Sequence, residues 1–289
     1  MNSFTPHLDR LIDLALEEDV AGGDITTHAT VDEKTQGRAR VMAKEDLVVA
    51  GVVPFLRIFQ RLDPTLQIHV ELGDGQLAKK GETLVELSGN ARSLLIGERP
   101  ALNFLMRLSG IATLTRHMSE ALKDYPGTRL IDTRKTTPGW RTLEKDAVLA
   151  GGGRNHRAGL FDGILIKDNH IAAAGGIRAA VDKAREHAHH LLKVEVETTN
   201  LDEVGQALEA GAEVLMLDNM DDVLLADAVA LVRDHEARTQ RKVMLEASGN
   251  MHLERLPKVG ALGIDLVSVG ALTHGARSVD LSMTLSLAE

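Results

Sequence analysis

The sequence predicts an α/β fold in which a smaller sandwich-like domain is followed by a βα-repeat domain. From about residue 128, short apolar runs alternate with helical patterns at intervals of one strand plus one helix, as βα units require. Up to about residue 113, an opening helix is followed by short β-like runs that turn residues separate. No linker rich in proline or serine divides the chain into independent modules.

The first part is predicted to open with an acidic amphipathic helix within residues 1–19, which lacks the basic and apolar regions of a signal peptide. Strands are expected at 38–49, 66–72 and 83–87. Residues 73–89 look like half of a lipoyl-type sandwich, and we interpret them as scaffold because no lysine is flanked by methionine at a hairpin tip. A helix is predicted from Pro100 to Leu122, with Pro100 at its first position.

The second part contains six strand-like runs, at residues 129–133, 162–168, 193–198, 213–219, 242–248 and 265–272. The helices between them include 201–210, which ends at Gly211, and 221–233. A barrel and an open doubly wound sheet would both give this pattern. A dinucleotide-binding fold has little support, because no G-x-G-x-x-G follows any of the strands.

Composition limits the classes of function. A net charge of -9 and only seven aromatic residues argue against nucleic acid as a partner. The chain has no cysteine, which excludes disulfides and thiolate catalysis. The longest apolar run, 47–56, is too short to span a membrane and contains Gly51 and Pro54. We therefore expect a cytoplasmic protein without a membrane partner.

The charge distribution is more specific than the total. Between residues 134 and 170, seven lysines and arginines stand against four acids, a net charge of +3 inside an acidic chain. Within this stretch, Gly151-Gly152-Gly153 can expose backbone amides, and Arg157 and Arg134 each offer a guanidinium fork that suits a planar carboxylate. The stretch predicts a pocket for a small polyanion; a basic outer helical face is the alternative.

Polar or small residues end every predicted strand of the second part, where barrel enzymes assemble their sites. In strand order they are Arg134 and Lys135, Lys167, Glu195 and Glu197, Asp218, Ser248-Gly249-Asn250, and Gly270. Strand alternation puts Glu195 and Glu197 on the face opposite Val194 and Val196, which predicts that the acids point into the lumen. Unpaired charges are costly there and need cations, a metal or a ligand. A structural Lys167–Glu195 ion pair is the alternative.

The last two strand ends predict phosphate binding. Residues 247–250 and 268–270 are small enough for backbone N–H groups to approach an anion, and we expect the N-terminus of a following helix to help. Barrels often bind phosphate at the loops that follow their last two strands.

These residues also carry a resemblance. The motifs DTRKTTPGWR, GGGRNHR, LIKDNHI, VEVET, MLDN, EASGN and VSVG, with EEDVAGGDITT and GERPALNFLMRLSGIAT before them, resemble the quinolinate phosphoribosyltransferase (nicotinate-nucleotide pyrophosphorylase, carboxylating) family from about residue 10 onward. The resemblance implies an incomplete α/β barrel of the type II phosphoribosyltransferase kind at 114–274. It also implies an N-terminal α/β sandwich-like domain at 1–113, which the tail 275–289 joins. Asp146 is a departure, since the family often has tyrosine there.

The implied activity is transfer of a phosphoribosyl group from phosphoribosyl pyrophosphate to quinolinate with loss of carbon dioxide, in a homodimer or higher oligomer whose sites are shared between subunits. The motifs imply that Arg134, His156, Arg157 and Lys167 bind quinolinate. Arg99, in an extended turn before proline, is implied to bind quinolinate in the partner's site. The catalytic residues are Lys135, Glu195 and Asp218, which also bind phosphoribosyl pyrophosphate. The two acids are in addition implied to bind Mg²⁺, partly through the substrate. The phosphate-binding residues are Ser248, Gly249, Asn250, Gly270 and His274.

Three other functions remain open at this point. A related transferase, specific for nicotinate or associated with molybdenum transport, would share the barrel but need fewer cationic groups. A Schiff-base aldolase would use Lys167 as its nucleophile. A phosphosugar-binding barrel without catalysis would have no need of lumenal lysines and carboxylates.

Overall fold

The computed structural model describes residues 6–287, which divide into two compact units. The first unit comprises the chain up to Arg116, Thr137–Gly152 and the segment from Thr273; the second comprises His117–Thr136 and Gly153–Leu272. Residues 1–5 of the predicted opening helix, and the outer ends of the predicted segments 1–113 and 275–289, lie outside the described residues.

The elements are as follows. The helices are α1 Pro6–Val20, α2 Ile25–Thr30, α3 Val52–Leu62, α4 Ala91–Glu120, α5 Arg141–Ala150, α6 Asp168–Ala174, α7 Ile177–His187, α8 Leu201–Ala210, α9 Asp222–Thr239, α10 Leu256–Ala261 and α11 Ala271–His274. The strands are β1 Gln36–Ala43, β2 Leu47–Val48, β3 Gln67–Val70, β4 Leu77–Ala78, β5 Thr83–Asn90, β6 Arg129–Ile131, β7 Ile164–Ile166, β8 Val194–Thr198, β9 Val214–Asp218, β10 Met244–Ser248, β11 Leu266–Ser268 and β12 Leu281–Leu287.

The first unit is built on a four-stranded antiparallel sheet with the order β12-β1-β5-β3. β1 alternates exposed and buried residues, as expected for a strand with one face on a core. The single strand predicted at 38–49 is in fact two, since β2 leaves the main sheet and pairs with β4. The chain end returns to this sheet, where β12 pairs with β1 from Gly37 opposite Leu287 to Ala43 opposite Leu281.

Helix α4 corrects two predictions. It begins at Ala91 and not at Pro100, so Arg99 is helical and exposed instead of lying in an extended turn. The Asn90 side chain accepts hydrogen bonds from the N–H groups of Arg92 (2.9 Å) and Ser93 (3.3 Å), which starts the helix nine residues early. Gly97 does not stop the helix: a Cβ there would lie 2.5 Å from the Phe59 ring, so glycine permits close packing against α3.

The second unit is a six-stranded parallel sheet with the order β6-β11-β10-β9-β8-β7. From β7 to β11 each strand pairs with the next one along the chain, and β6 follows β11. A doubly wound sheet reverses its order at a switch point, whereas this unidirectional order is that of a barrel. Among the described residues, only a bridge between Ile131 and Arg154 extends the sheet beyond β6, and no ladder joins β6 to β7. The predicted incomplete α/β barrel is confirmed.

Helices α8 and α9 lie where their patterns predicted them. α8 has the predicted bounds and is followed by Gly211 in the left-handed region (φ 82°). α9 starts after Asp221, whose side chain accepts from two backbone N–H groups, and it continues six residues beyond the predicted end at Arg233. None of the helices between residues 6 and 287 is long and apolar enough to cross a membrane.

Candidate active site

The register of the barrel strands gathers the predicted charged residues on one face. Glu195 lies opposite Leu165 and Val214, Glu246 opposite Met216, and Ser248 opposite Asp218. Side chains alternate along a strand, and residues opposite each other project to the same side. Six polar side chains therefore share a face: Lys167, Glu195, Glu197, Asp218, Glu246 and Ser248. The face assignment made from strand alternation is confirmed.

Two buried acids lie on this face. Glu195 is 8% exposed and Glu246 is 1% exposed. Burial raises the pKa of Glu246 well above its usual range, and the negative charge of Glu195 raises it further. Within the described part of the chain, Glu195 Oε1 and both carboxyl oxygens of Glu246 are buried and accept no hydrogen bond. Glu195 and Glu246 are thus buried carboxyl groups whose oxygens can still accept hydrogen bonds.

His156 faces the two acids in a fixed orientation. Its Nε2 lies 3.3 Å from Glu195 Oε2 and 3.5 Å from Glu246 Oε2. Its Nδ1 accepts a hydrogen bond from the Arg157 N–H at 2.7 Å, and its own N–H donates to Asp132 Oδ1 at 2.8 Å. Because Nδ1 is an acceptor, Nε2 carries the hydrogen of the neutral ring. His156 therefore presents Nε2–H to the acids, although neither oxygen of Glu246 accepts a hydrogen bond within the described residues. In this tautomer Nε2 has no free lone pair for a metal, which argues against a metal held by His156, Glu195 and Glu246 together.

Two guanidinium groups influence each other beside the acids. Arg157 donates to the Gly163 carbonyl at 2.9 Å. Burial lowers the pKa of Arg157 from its ordinary value, the positive charge of Arg134 lowers it further, and the negative charges of Glu195 and Asp162 oppose this. Two neighbouring, partly buried cations favour a bound anion, because it relieves their repulsion.

Lys167 pairs with Glu197 and not with Glu195. Its Nζ donates to Glu197 Oε2, so the alternative Lys167–Glu195 ion pair is not formed. The Glu197 side chain is 13% exposed and that of Lys167 is 44% exposed. The backbone N–H of Lys167 donates to His170 Nδ1 at 3.0 Å at the start of α6, which orients the lysine.

The loops after β9 and β10 meet through their backbones. Asn219 donates from Nδ2 to Asp218 Oδ2 (2.7 Å) and from its backbone N–H to the Ser248 carbonyl (3.0 Å). Asn219, Gly249 and Asn250 all have positive φ, at 55°, 83° and 51°. A Cβ on Gly249 would lie 2.1 Å from Asn219 Oδ1 and 3.0 Å from the Asn219 backbone nitrogen. Gly249 is therefore required for the close approach of the loops.

One prediction about these loops is wrong in part. α10 begins only at Leu256, so its N-terminus does not adjoin residues 248–250, where the backbone of Gly249 and Asn250 instead turns with positive φ. α11 does begin directly after Gly270. Lys135 is exposed, and its backbone N–H donates to Thr133 Oγ1 at 3.0 Å. Arg99 and His274 belong to the first unit, where both are exposed, whereas the other predicted site residues belong to the second.

Comparison with known proteins identifies the family. A family model for the C-terminal domain of quinolinate phosphoribosyl transferase matches residues 111–284, and one for its N-terminal domain matches residues 24–109. The chain belongs to the quinolinate phosphoribosyltransferase family. The proteins named probable nicotinate-nucleotide pyrophosphorylase [carboxylating] from Synechocystis and Bacillus subtilis are 45% and 42% identical to it. The match to the Synechocystis protein covers 93% of this chain and 90% of that relative. The match to the Bacillus subtilis protein covers 97% of this chain and 94% of that relative.

Solved structures agree with this family assignment. The structure of NadC from Streptococcus pyogenes superposes with a TM-score of 0.92 at 40% identity over 100% of both chains. The structure of the nicotinate-nucleotide pyrophosphorylase from Francisella tularensis superposes with a TM-score of 0.90 at 40% identity over 98% of both chains. The described residues, 6–287, therefore have the quinolinate phosphoribosyltransferase fold.

Sequence reasoning missed three residues at this site. Glu246 was available to it, since it lies two residues before Ser248 and alternation puts the two on one face. Asp132, which accepts a hydrogen bond from the His156 backbone N–H, is the first residue of the DTRKTTPGWR motif, and nothing in the sequence indicates that role. Arg255, buried beneath the loops after β9 and β10, lies in an irregular segment where no periodicity predicts burial.

Proposed function

We infer that this chain transfers the phosphoribosyl group of phosphoribosyl pyrophosphate to quinolinate with loss of carbon dioxide, giving nicotinate mononucleotide and pyrophosphate. It is a decarboxylating transferase of the pentosyl class that acts in NAD biosynthesis. Relatives named quinolinate phosphoribosyltransferase [decarboxylating] support this inference. The observation that carries this conclusion is the match of both family domains, in order, over 24–109 and 111–284.

We propose that Arg134, Arg157 and Lys167 bind the two carboxylates of quinolinate. Two observations support this assignment: burial and the charge of Arg134 lower the pKa of Arg157, and a half-buried lysine lies at the end of β7. Paired forks suit planar carboxylates, and three cations exceed what a monocarboxylate such as nicotinate requires. The proposed role of His156 rests on the family resemblance, because its Nε2–H faces Glu195 and Glu246.

Glu195 and Asp218 are the proposed groups beside the ribose. When the ring nitrogen attacks the anomeric carbon and pyrophosphate leaves, positive charge develops on the sugar, as in glycoside hydrolysis. Carboxylates held in place before the reaction stabilise that charge without reorganisation. Asp218 is held by Asn219, and Glu195 by the strand and by His156. Lys135, exposed after β6, is proposed to bind the departing pyrophosphate.

The residues fit a magnesium ion, which we propose as cofactor. Mg²⁺ prefers oxygen ligands, and Glu195 offers a buried Oε1 that accepts no hydrogen bond from the described residues. Asp218 supplies a second, half-buried carboxylate. The chemistry that such an ion supplies is neutralisation of charge on the pyrophosphate. Ser248, Gly249, Asn250, Gly270 and His274 are proposed to hold the 5-phosphate.

Decarboxylation follows from the first step. Once the ring nitrogen is bonded to the sugar, the bond to the adjacent carboxylate breaks, carbon dioxide leaves, and the bonding electron pair stays on the ring carbon beside the positive nitrogen. That carbon then takes up a proton, from water or a lysine, to give nicotinate mononucleotide. The cationic cluster contributes mainly by orienting the ring. Product analysis tests the function: the purified protein should form nicotinate mononucleotide from quinolinate and phosphoribosyl pyrophosphate, and far less from nicotinate. Equal use of nicotinate would favour the related nicotinate enzyme.

We also propose a cytoplasmic homodimer in which Arg99 completes the partner's site, with domains at 1–113 plus the tail 275–289 and at 114–274. Co-expression of Arg99→Ala with Arg157→Ala tests the sharing. Each variant alone should be nearly inactive. A mixed dimer should regain one working site, because one barrel keeps Arg157 and receives Arg99 from its partner. Absence of any regained activity in isolated mixed dimers would refute a shared site.

A further inference from the structure

Arg255 is a buried cation whose contacts are almost all backbone. It is 8% exposed and lies just before α10. Its Nη2 donates to the Met220 carbonyl at 2.6 Å, and its Nη1 lies 3.2 Å from the Gly249 carbonyl and 3.5 Å from that of Asn250. Its Nε donates to Asp222 Oδ1 at 2.9 Å. One guanidinium thus contacts the loop after β9 and the loop after β10 at the same time.

These loops need an external constraint. Asn219 and Asn250 are non-glycine residues with positive φ, a conformation that asparagine tolerates better than other side chains and that persists where the surrounding structure holds it. The backbone bond between the loops runs from the Asn219 N–H to the Ser248 carbonyl. Arg255 binds different carbonyls, those of Met220 and Gly249, so it adds a second connection between the same two loops. Charge-assisted bonds of this kind are stronger than neutral ones.

We propose that Arg255 is a positioning residue, which holds the loops after β9 and β10 in the arrangement that binds the phosphate groups of phosphoribosyl pyrophosphate. The inference rests on the proposed function, in which Asp218 and residues 248–250 bind that substrate. Arg255 does not itself contact substrate in this scheme. Because Arg255 binds the carbonyls of Gly249 and Asn250, the N–H groups of the same two peptides, those of Asn250 and Met251, point away from Arg255.

Steady-state kinetics with matched variants test the proposal. Arg255→Ala should raise the KM for phosphoribosyl pyrophosphate about 10-fold and leave the KM for quinolinate within about 2-fold. Arg255→Lys should recover part of the loss, since lysine keeps the charge but cannot make all four contacts. Lys258→Ala is the control: Lys258 also faces Asp222, at 3.7 Å, but its side chain is 71% exposed and it should behave as wild type.

The possible results distinguish a failure of the role of Arg255 from a failure of the proposed function. An active wild type with an unchanged phosphoribosyl pyrophosphate KM in Arg255→Ala, or an equal rise in both KM values, refutes the role of Arg255 alone. A wild type that forms no nicotinate mononucleotide refutes the proposed function instead. If Arg255→Ala does not fold, Arg255→Lys and Asp222→Asn give the same comparison, because each removes part of the contact set. Both should raise the phosphoribosyl pyrophosphate KM selectively, and a failure to do so overturns the proposal.

Discussion

Lys167 donates to Glu197, two residues beyond Glu195 on the same strand and the same face. This pairing separates the acids of β8 into two roles. Glu197 neutralises the lysine, whereas Glu195 remains beside His156 and Glu246. Lys167 is thereby held near the end of its strand with its side chain 44% exposed, which leaves other N–H donors of its ammonium group for the substrate carboxylate that we propose it binds.

Glu197→Gln should weaken quinolinate binding, because the lysine loses the carboxylate that holds it in place. We expect the quinolinate KM to rise about 3- to 10-fold while that of phosphoribosyl pyrophosphate stays within about 2-fold. Glu209→Gln, an exposed position on α8, is the control and should have no effect. A larger change in the phosphoribosyl pyrophosphate KM would mean that Glu197 belongs to the sugar side of the site.

Arg134→Ala and Arg157→Ala should each raise the quinolinate KM by about 100-fold, since each removes a charged fork from a partly buried anion site. Binding of phosphoribosyl pyrophosphate to the free enzyme, measured by calorimetry, should be nearly unchanged. If both substrates weaken to the same extent, the assignment of the arginines to quinolinate is wrong.

Gly249→Ala should impair the phosphate loop. The new Cβ would collide with Asn219, and moving that side chain breaks its hydrogen bond to Asp218. We expect the KM for phosphoribosyl pyrophosphate to rise about 10-fold, with a smaller effect on quinolinate. Gly205→Ala is the matched control, because nothing lies within 4 Å of a Cβ there and the exchange favours the helix. Wild-type kinetics for Gly249→Ala would contradict the phosphate assignment.

The sequence predicts the face of each charged residue better than its partner. Alternation along β8 correctly placed Glu195 and Glu197 together, because a period of two leaves no other choice. It could not decide which acid pairs with Lys167, since that depends on the stagger between β7 and β8. The barrel order was equally undetermined, because pairing of non-neighbouring strands leaves no mark on periodicity.

Local rules failed where packing overrides them. Pro100 suggested a helix start, yet α4 runs through it because the Asn90 side chain and the buried Ala91, Leu94 and Ala101 fix an earlier beginning. Arg255 was not predicted because its burial depends on carbonyls of two distant loops.

The contact of Glu45 with the C-terminal segment predicts an acid-dependent stability. Glu45 pairs with Arg277 and accepts from the Asp280 N–H at 2.8 Å, and these bonds, the one from Arg277 first, lower its pKa to about 2. A depressed carboxyl pKa stabilises the fold above the ordinary value of 4.5, and this contribution is lost as the pH falls toward 2.

Glu45→Gln should therefore unfold at a lower temperature than wild type at neutral pH, and the difference should shrink as the pH falls from 4.5 toward 2. Thermal unfolding across this range measures it. Glu86→Gln is the control, because the Glu86 pair with Arg40 is more exposed, at 43% against 28% for the Glu45 side chain, and should contribute little. A difference that stays constant with pH would contradict the assignment.

We propose that the charged residues at the mouth of this barrel bind a doubly acidic ring together with a sugar diphosphate. Release of carbon dioxide from carboxyl-labelled quinolinate tests it most directly. We predict release only when phosphoribosyl pyrophosphate and magnesium are both present, with one carbon dioxide and one pyrophosphate per nicotinate mononucleotide. Release without phosphoribosyl pyrophosphate, or no release with all components present, would contradict the account.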